Sequence, residues 1–393
     1  MDAAEGLSRR AWRALPLMVL ALVVIAATGV AYLHPSLPSF SKAAAPAKPA
    51  GPPLISDRYH VAYDFLTPTL GWALVVDQAS SSPQFWVFRT TDMAKHWERQ
   101  FTSPASISSA GPLKLQFFDR NNGLAALGGA AAVYRTADGG GHWTALAMPK
   151  LLLSSVFFSD PRHGWVLGST GALDQIAFSL FSTSDGGDHW AALPQPPMWS
   201  FAGKGGFADL AFRRPSEGWM GGETPGSSTV YSTIDGGLTW QAHPLPVTTG
   251  KGGFVGGNAP LADTNVYLLP GAGVLAVTVD GSGNSVALTS FDGGTAWRRL
   301  PAPPGETTYA DFTFQDNFNW WAMRFGTLFK SSDAGQSWKQ VAQQLDEWDY
   351  VPQVVDGQRA WAQMNSNPAN GTGLATTADG GLHWNPVNVP IPS

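Results

Sequence analysis

The chain has no cysteine. Disulfides, thiolate nucleophiles, iron–sulfur clusters and cysteine-type zinc sites are therefore excluded. Charged residues are also scarce, at 13% of the 393 residues, compared with a usual share of roughly 25%. The lack of cysteine leaves the compartment open, because a protein without thiols tolerates oxidising and reducing surroundings alike.

Basic residues are sparse in the body of the chain. Of 24 basic and 29 acidic residues, five basic and two acidic ones lie in residues 1–50, which leaves 19 basic and 27 acidic residues in the rest. An acidic body without a basic stripe argues against a nucleic-acid partner. Nothing in the residue pattern indicates a cofactor, a metal site, a P-loop or a nucleophile elbow.

Glycine and tryptophan are abundant, with 44 and 17 residues respectively. Many glycines allow many tight turns, and many indoles provide large flat groups for packing. Together they indicate an all-β protein with short strands.

Residues 14–33 contain 20 successive uncharged residues, and Arg9, Arg10 and Arg13 precede them. As a helix this segment would span about 30 Å, the thickness of a bilayer core. We expect a single-pass signal anchor with residues 1–13 in the cytoplasm and the body on the extracytoplasmic side. A cleaved signal peptide is the alternative, although its apolar region is usually shorter. Residues 34–53 are rich in proline and alanine and are interpreted as a linker.

An internal repeat dominates residues 54–393. The pattern Ser/Thr-x-Asp-x-Gly-x-x-Trp occurs seven times, and only the first copy departs from it, with Ala94 in place of glycine. The intervals between successive Asp residues are 46, 47, 50, 57, 41 and 46. The repeated residues are Asp92, Asp138, Asp185, Asp235, Asp292, Asp333 and Asp379, with Trp97, Trp143, Trp190, Trp240, Trp297, Trp338 and Trp384. Such a period, with one turn motif per unit, predicts a seven-bladed β-propeller.

A second pattern precedes most copies, in which an apolar strand is followed by a polar turn and Gly-Trp or a relative of it. Examples are Phe65…Gly71-Trp72 and Phe158…Gly164-Trp165, and weaker forms begin at Phe118, Phe314 and Val355. Each unit therefore offers four strands. Blade five lacks the Gly-Trp step. The units close in phase, so no exchanged strand is expected.

The repeated turn resembles the Asp-box of the sialidase-type superfamily with BNR repeats. Combined with the Phe…Gly-Trp step, it looks like the photosystem II stability/assembly factor family over about residues 54–390. The resemblance implies a WD40/YVTN-like propeller that acts as a non-catalytic assembly factor. Its expected partner is a membrane protein on the lumenal or periplasmic side.

The repeated Asp residues are interpreted as structural. One identical residue per blade cannot converge on a single substrate, and the turn between strands three and four lies on the outer rim of one face. The same holds for His96, His142, His189 and His383, which precede the repeat Trp. The Asp is expected to accept hydrogen bonds from its own turn, and the glycine to permit positive φ. The first turn, with Ala94, should deviate from the other six.

A sialidase-like glycoside hydrolase or a sugar-binding propeller is the alternative function. A sialidase requires three arginines, a tyrosine nucleophile and acidic partners. Arg58 lies near the first expected position, and Tyr309 with Asp311 could reach the central funnel. The adjacent pairs Arg213-Arg214 and Arg298-Arg299 should point to opposite strand faces. The catalytic assignment is therefore none.

Exposed loop aromatics are the remaining binding candidates. Trp199, Phe201, Trp348 and Tyr350 lie in segments without strand periodicity, on the face opposite the repeat turns. Such side chains anchor protein partners or sugars. The expected role is a non-enzymatic scaffold for a membrane or envelope protein, with polysaccharide as an alternative ligand and a structural spacer as a third possibility.

Overall fold

A computed structural model describes residues 54–77, 79, 84–103, 109–129, 132–170, 177–195, 208–222, 224–225, 228–247, 261–262, 264–280, 285–302, 311–324, 327–342, 352–365 and 371–392. These residues form strands, turns and bends. None of the described segments is a helix with the length and apolarity needed to cross a bilayer. The predicted anchor at 14–33 and the linker at 34–53 lie outside the described residues, and the anchor stays a prediction.

Seven four-stranded antiparallel sheets make up the domain, and we call them blades 1 to 7 in chain order. Blade 1 consists of β1 (Tyr59–Phe65), β2 (Gly71–Asp77), β3 (Phe85–Thr90) and β4 (Glu98–Thr102), and blade 2 consists of β5 (Ser109–Phe117), β6 (Gly123–Gly129), β7 (Ala132–Thr136) and β8 (Thr144–Ala145). Blade 3 consists of β9 (Leu152–Phe158), β10 (Gly164–Thr170), β11 (Ala177–Thr183) and β12 (Ala191–Ala192). Blade 4 consists of β13 (Ala208–Arg214), β14 (Glu217–Gly222), β16 (Thr229–Thr233) and β17 (Gln241–Pro244).

The last three blades follow the same plan. Blade 5 consists of β19 (Asn265–Leu268), β20 (Val274–Val279), β21 (Ser285–Ser290) and β22 (Arg298–Arg299). Blade 6 consists of β23 (Asp311–Phe314), β24 (Trp320–Arg324), β25 (Thr327–Ser331) and β26 (Lys339–Ala342). Blade 7 consists of β27 (Gln353–Val354), β28 (Ala360–Asn365), β29 (Thr372–Thr377) and β30 (Asn385–Val387). In the long interval before blade 5, β18 (Leu261–Ala262) pairs with β15 (Thr224–Pro225), which lies between the second and third strands of blade 4, and the two form a separate two-stranded sheet. The seven-bladed all-β propeller is confirmed.

The strand register fixes which loops share a face. Phe65 pairs with Gly71, and Gly71 pairs with Thr90, so the hairpin between strands one and two lies on the same face as the turn after strand three. We call this the repeat-turn face. Strand one begins and strand four ends at the opposite face. The described chain begins near that opposite face, where Ile55 pairs with Thr372. The segment after β30 instead passes the first repeat turn, because Asn388 contacts Lys95 and Trp97.

The core is divided among the joints between blades. Each joint contains its own apolar cluster; Trp72 and Leu115 belong to the cluster between blades 1 and 2, and Trp165 and Leu210 to the cluster between blades 3 and 4. A single blade has two apolar faces, so each blade is buried only when it has a neighbour on both sides.

Stacked aromatic rings lie at these joints. Trp72 stacks on Phe117 of the next blade with centroids 3.6 Å apart, and Trp165 stacks on Phe212 at 3.6 Å. The glycine before each of these tryptophans lies under the Phe of its own blade, because a Cβ on Gly164 would be 2.5 Å from Phe158. The Phe…Gly-Trp pattern is therefore a packing motif between blades.

The weaker copies of this pattern are shifted by one residue from their predicted positions. Phe117, and not Phe118, pairs with Gly123, because Phe118 already belongs to the turn. In blade 6, Phe314 pairs with Trp320, so Trp321 takes the place of Trp72 in blade 1. In blade 7, Val354, and not Val355, pairs with Ala360.

The ring closes between blades 7 and 1. Phe65 stacks on Trp361 with centroids 3.9 Å apart, and the Trp97 indole N–H donates to Asn388 O at 2.9 Å. Among the described residues, each four-stranded blade is built from one contiguous stretch of the chain, as predicted. Ile55 also pairs with Thr372 through two backbone hydrogen bonds of 2.8 Å each and is buried in this joint, a contact that the repeat pattern did not predict.

Candidate functional site

The repeat turns have one geometry in all seven blades. In each, the Thr or Ser hydroxyl donates to the Asp carboxylate at 2.8–3.0 Å and accepts the backbone N–H four residues later at 2.8–3.1 Å. The same carboxylate oxygen accepts the N–H four residues after the Asp. Each repeat Trp directly precedes strand four. The carboxylates are thus used within their own turns.

Ala94 occupies the left-handed region with φ 58°, whereas glycine at the same position of the other six turns has φ between 77° and 100°. The backbone of the first turn deviates in this angle, as expected for a residue with a Cβ. Its hydrogen bonds nevertheless match those of the other turns, with Ala94 N–H donating to Thr90 at 3.1 Å. Alanine can adopt this conformation at a cost of roughly 1–2 kcal/mol.

The histidines of the repeat are partners of their own Asp. The Nδ1 atoms of His96, His142, His189 and His383 lie 2.5–2.7 Å from the second carboxylate oxygen of the turn. The His383 backbone N–H, followed by its ring, lowers the pKa of Asp379 to about 2. The Asp185 carboxylate raises the pKa of the exposed His189. In blades 4 and 6, the Thr239 and Ser337 hydroxyls take the place of the imidazole.

Polar side chains of the inner strands link blades 7, 1, 2 and 3 in succession. Asp64 of blade 1 accepts the Phe117 backbone N–H of blade 2 at 2.5 Å. Gln353 of blade 7 accepts the Phe65 N–H at 2.9 Å and donates to Asp64 at 2.7 Å. Gln116 of blade 2 donates to Phe158 O of blade 3 at 3.4 Å. An inner strand is a sheet edge with free backbone groups, and these side chains satisfy them.

Asp64 is a partly buried carboxylate on the inner strand of blade 1. Burial raises the pKa of Asp64, and the Phe117 N–H and Gln353 amide partly offset this effect. Sequence reasoning missed Asp64, Gln116 and Gln353. Their common signal is a polar residue directly before the apolar residue that ends strand one.

Arg58 does not present a free guanidinium to a ligand. Its Nε donates to Asp77 at 2.9 Å and its Nη2 contacts the other carboxylate oxygen of the same side chain. The guanidinium carbon also lies 5.5 Å from the Tyr59 ring centroid. The structure therefore places Arg58 in a bidentate ion pair that fixes the start of β1.

The other predicted binding residues lie mostly outside the described part of the chain. Trp199, Phe201, Tyr309, Trp348 and Tyr350 fall there, and their binding roles stay predictions. Asp311 is the first residue of β23, where its backbone pairs with Met323.

Arg213 and Arg214 were predicted to point to opposite strand faces, and the structure does not show this. Both contact Glu217, at 2.6 Å and 2.5 Å. The register of β13 shifts between Phe212 and Arg214, and this irregularity brings the two side chains to one carboxylate. Arg213 also donates to Gly273 O at 2.6 Å. Among the described residues no group of three or more His, Asp or Glu side chains could hold a metal ion.

Two clefts open at the repeat turns. One, of about 330 Å³, lies between blades 5 and 6 and is lined by Phe291, Trp297 and Asp292 among others. The other, of about 450 Å³, lies between blades 3 and 4 and is lined by Trp190, Leu238 and other residues. Both combine apolar ring surface with a turn carboxylate.

No family model and no curated protein matches this chain. Among solved structures, YCF48 from Cyanidioschyzon merolae, a photosystem II assembly factor, is 14% identical with a TM-score of 0.55, covering 82% of this chain and 96% of that one. The acylaminoacyl peptidase of Pyrococcus horikoshii is 9% identical with a TM-score of 0.53, covering 85% and 54%. An ancestral GH74 enzyme is 12% identical with a TM-score of 0.51, covering 84% and 45%.

This chain thus spans nearly the whole of YCF48 and about half of the two enzymes. The resemblance to photosystem II assembly factor-like propellers inferred from the sequence is confirmed at the level of the fold. Because identities are this low, the likeness to all three structures shows the propeller fold alone.

Proposed function

We propose that this protein is a membrane-anchored extracytoplasmic propeller that serves as a non-catalytic binding or assembly scaffold for a membrane or envelope protein. One observation carries the proposal. Asp64 of blade 1 and Gln353 of blade 7, both on inner strands, are engaged in hydrogen bonds between blades. These side chains stabilise the closed ring, and a partner would therefore bind at the outer surface of the propeller.

The anchor part of the proposal rests on residues 14–33 and the three arginines before them. Positive residues keep their end of a helix in the cytoplasm, which sends the propeller across the bilayer. Protease added to intact cells or spheroplasts should therefore remove the propeller. Alkaline carbonate should leave the full-length protein in the membrane pellet.

Two outcomes would contradict this topology. If the propeller resists protease together with a cytoplasmic marker, the orientation is wrong. If the mature protein is soluble and begins beyond Leu33, the helix is a cleaved signal. A released propeller would favour a soluble or polysaccharide target over a membrane complex.

The second candidate is a carbohydrate-binding or glycoside-hydrolysing propeller. The clefts beside Trp190 and Trp297 favour it, because indole rings stack on sugars. A glycan array followed by an assay for reducing ends distinguishes the two candidates. Release of reducing sugar by the purified protein would replace the scaffold by a hydrolase, and glycan binding without such release would indicate a carbohydrate-binding propeller.

A further inference from the structure

One position of the third strand differs between the joints on the repeat-turn face. It is the residue directly before the repeat Ser or Thr, and it pairs across the sheet with the second residue of the Gly-Trp step. Arg89 pairs in this way with Trp72 in blade 1, and Ser182 pairs with Trp165 in blade 3. Lys330 holds the same place in blade 6. The strand register therefore makes the short Ser182 the equivalent of two long cationic side chains.

The cations at this position reach backbone carbonyls of the next blade. Arg135, which holds the position in blade 2, donates from Nη1 to Gly186 O of the third repeat turn at 3.1 Å. Lys330 donates from Nζ to Gly380 O of the seventh repeat turn at 3.1 Å and to Gly357 O of the adjacent hairpin at 3.3 Å. An arginine and a lysine thus serve the same purpose at two joints.

The indole beside the cation is a second feature of these joints. Lys330 Nζ lies 3.8 Å from the centroid of the Trp321 ring, and the Arg89 guanidinium carbon lies 5.6 Å from that of Trp72. A cation above an indole is attracted by the negative face of the ring. Carbonyl oxygens and an indole together form a cation site that these joints fill with their own side chains.

The joint between blades 3 and 4 has the same surroundings without the cation. The Trp165 indole N–H donates to Gly236 O of the fourth repeat turn at 2.9 Å. Among the described residues, a Cβ built on Gly236 would meet only Pro215 O, at 3.0 Å, whereas a Cβ on the equivalent Gly186 would be 2.7 Å from Arg135 Nη1. The space that a guanidinium fills at one joint is therefore open at the other.

A cleft of about 450 Å³ opens at this place. Ser182, Trp165, Pro215 and Gly236 line it, and none of its described lining residues is a lysine or an arginine. Pro215 and Gly236 correspond to Gly357 and Gly380, whose carbonyls bind Lys330. The cleft continues to the apolar side chains of Trp190 and Leu238. It therefore offers carbonyls and an indole for a cationic head, and an apolar wall for a methylene stem.

The cleft between blades 5 and 6 lacks part of this arrangement. The position of Trp165 is taken there by Leu275, which pairs with Thr289. The Arg298 guanidinium in its wall donates to Gln336 Oε1 at 2.9 Å. This second cleft therefore has no indole at the equivalent position and already contains a cation, so it serves as an internal comparison.

We propose that the cleft between blades 3 and 4 binds a lysine or arginine side chain of a partner polypeptide, in the place that Arg135 and Lys330 fill at other joints. The inference rests on the scaffold function proposed above and names the side chain by which the partner is held. Selection comes from carbonyl dipoles and an indole ring, and it requires no excess of negative charge on the surrounding face.

The test uses the full-length chain in detergent and saturation-transfer difference NMR, which detects weak binding. The probes are a short glycine peptide with one central arginine and the same peptide with citrulline, which has the shape of arginine but no charge. Ser182→Arg supplies the missing cation from the chain itself. Thr289→Arg is the matched control, because it adds the same charge at the equivalent position of the cleft between blades 5 and 6.

We expect the wild type and Thr289→Arg to bind the arginine peptide with equal affinity, and the citrulline peptide about tenfold more weakly. Ser182→Arg should bind the arginine peptide at least about tenfold more weakly, because its own guanidinium occupies the site. Its urea midpoint should equal or exceed that of the wild type. Equal affinity for the two peptides, unchanged binding by Ser182→Arg, or a lower midpoint of that variant would overturn the proposal.

Three further measurements address other occupants. Methylguanidinium that binds as tightly as the arginine peptide would assign the cleft to a small cation. Flotation with phosphatidylethanolamine vesicles, lost in Ser182→Arg, would assign it to a lipid amine. Glycan binding lost in Ser182→Arg would assign it to a sugar. Each of these results overturns the proposed partner but leaves the protease topology experiment unaffected, so failure of the scaffold's location and failure of its partner chemistry are distinguishable.

Discussion

Asp379 illustrates how a single turn carboxylate couples stability to acidity. Its pKa is lowered to about 2 by the His383 backbone N–H and ring, against about 4 in an unfolded chain. Because the folded pKa is the lower one, the stabilisation is present above about pH 4 and is lost as the pH falls through about 2. Asp92 and Asp235, with pKa values of about 2, add to the same window.

We therefore expect the urea midpoint of the wild type to fall between about pH 4 and pH 2. Asp379→Asn should show a smaller fall in that window, because it removes one titrating group. Glu98→Gln, on the exposed strand β4, serves as the control and should follow the wild type. A slope for Asp379→Asn identical to that of the wild type would refute the coupling.

At the residue scale, the sequence predicted the hydrogen bonds inside each repeat turn but not the contacts between residues that are distant in the chain. The Ser/Thr, Asp and Gly pattern predicted hydrogen bonds that close within a few residues of chain, and these are local. The role of Asp64 was not predictable in the same way, because its partner Phe117 is 53 residues away. Arg58 lies near the first arginine position expected of a sialidase, but its guanidinium is bound to Asp77.

The contact between neighbouring blades is the central structural element, and the Trp165–Phe212 stack is its clearest case. The rings are nearly parallel, with an interplanar angle of 3°, and the Trp165 N–H donates to Gly236 O at 2.9 Å. Trp165→Ala should cost about 3–5 kcal/mol of unfolding free energy. Trp165→Phe keeps a ring and loses the hydrogen bond, so it should cost less.

Chemical denaturation of both variants measures this difference. A double-mutant cycle of Trp165→Leu with Phe212→Leu, in which each substitution removes one ring, should give a coupling of about 0.5–1.5 kcal/mol. Additive effects would show that the stack contributes only buried area.

Sequence reasoning located this element but not its register. Where a full Phe…Gly-Trp step is present, as at Phe158 and Gly164, strand and pairing were both predicted. Where glycine is replaced, as at Trp320, two adjacent tryptophans satisfied the pattern, and only pairing with Phe314 identifies which one lies at the glycine position. A shift of one residue reverses the face of every side chain, so such ambiguity has structural consequences.

The whole ring depends on one joint that no repeat encodes. Ile55 is almost fully buried between blades 7 and 1 and pairs with Thr372. A chain that begins at Ser56, which keeps the Arg58–Asp77 ion pair, should be less stable than one that begins at Leu54 by about 1.5–3 kcal/mol, the value of one buried isoleucine. Thermal unfolding of the two chains tests this. In the longer chain, Ile55→Ser should reproduce most of the loss, and equal stability would show that the ring closes without Ile55.

The overall architecture could be predicted from the sequence because seven units of similar length leave few alternatives. The exposed apolar side chains of the repeat turns could not be predicted in this way, because exposure at a variable turn position such as Ile234 or Phe291 follows from no periodicity. The predicted binding loops of the opposite face lie largely outside the described residues, so the structure describes the repeat-turn face and not those loops.

The joint between blades 7 and 1 also sets an order of events during synthesis. Every blade is a contiguous stretch of chain, but Gln353 meets the Phe65 N–H across 288 residues. At ribosomal speeds blade 1 would wait on the order of tens of seconds for its partner. During that time the Phe65 ring faces solvent, so the nascent protein offers chaperones an apolar edge that the finished ring conceals.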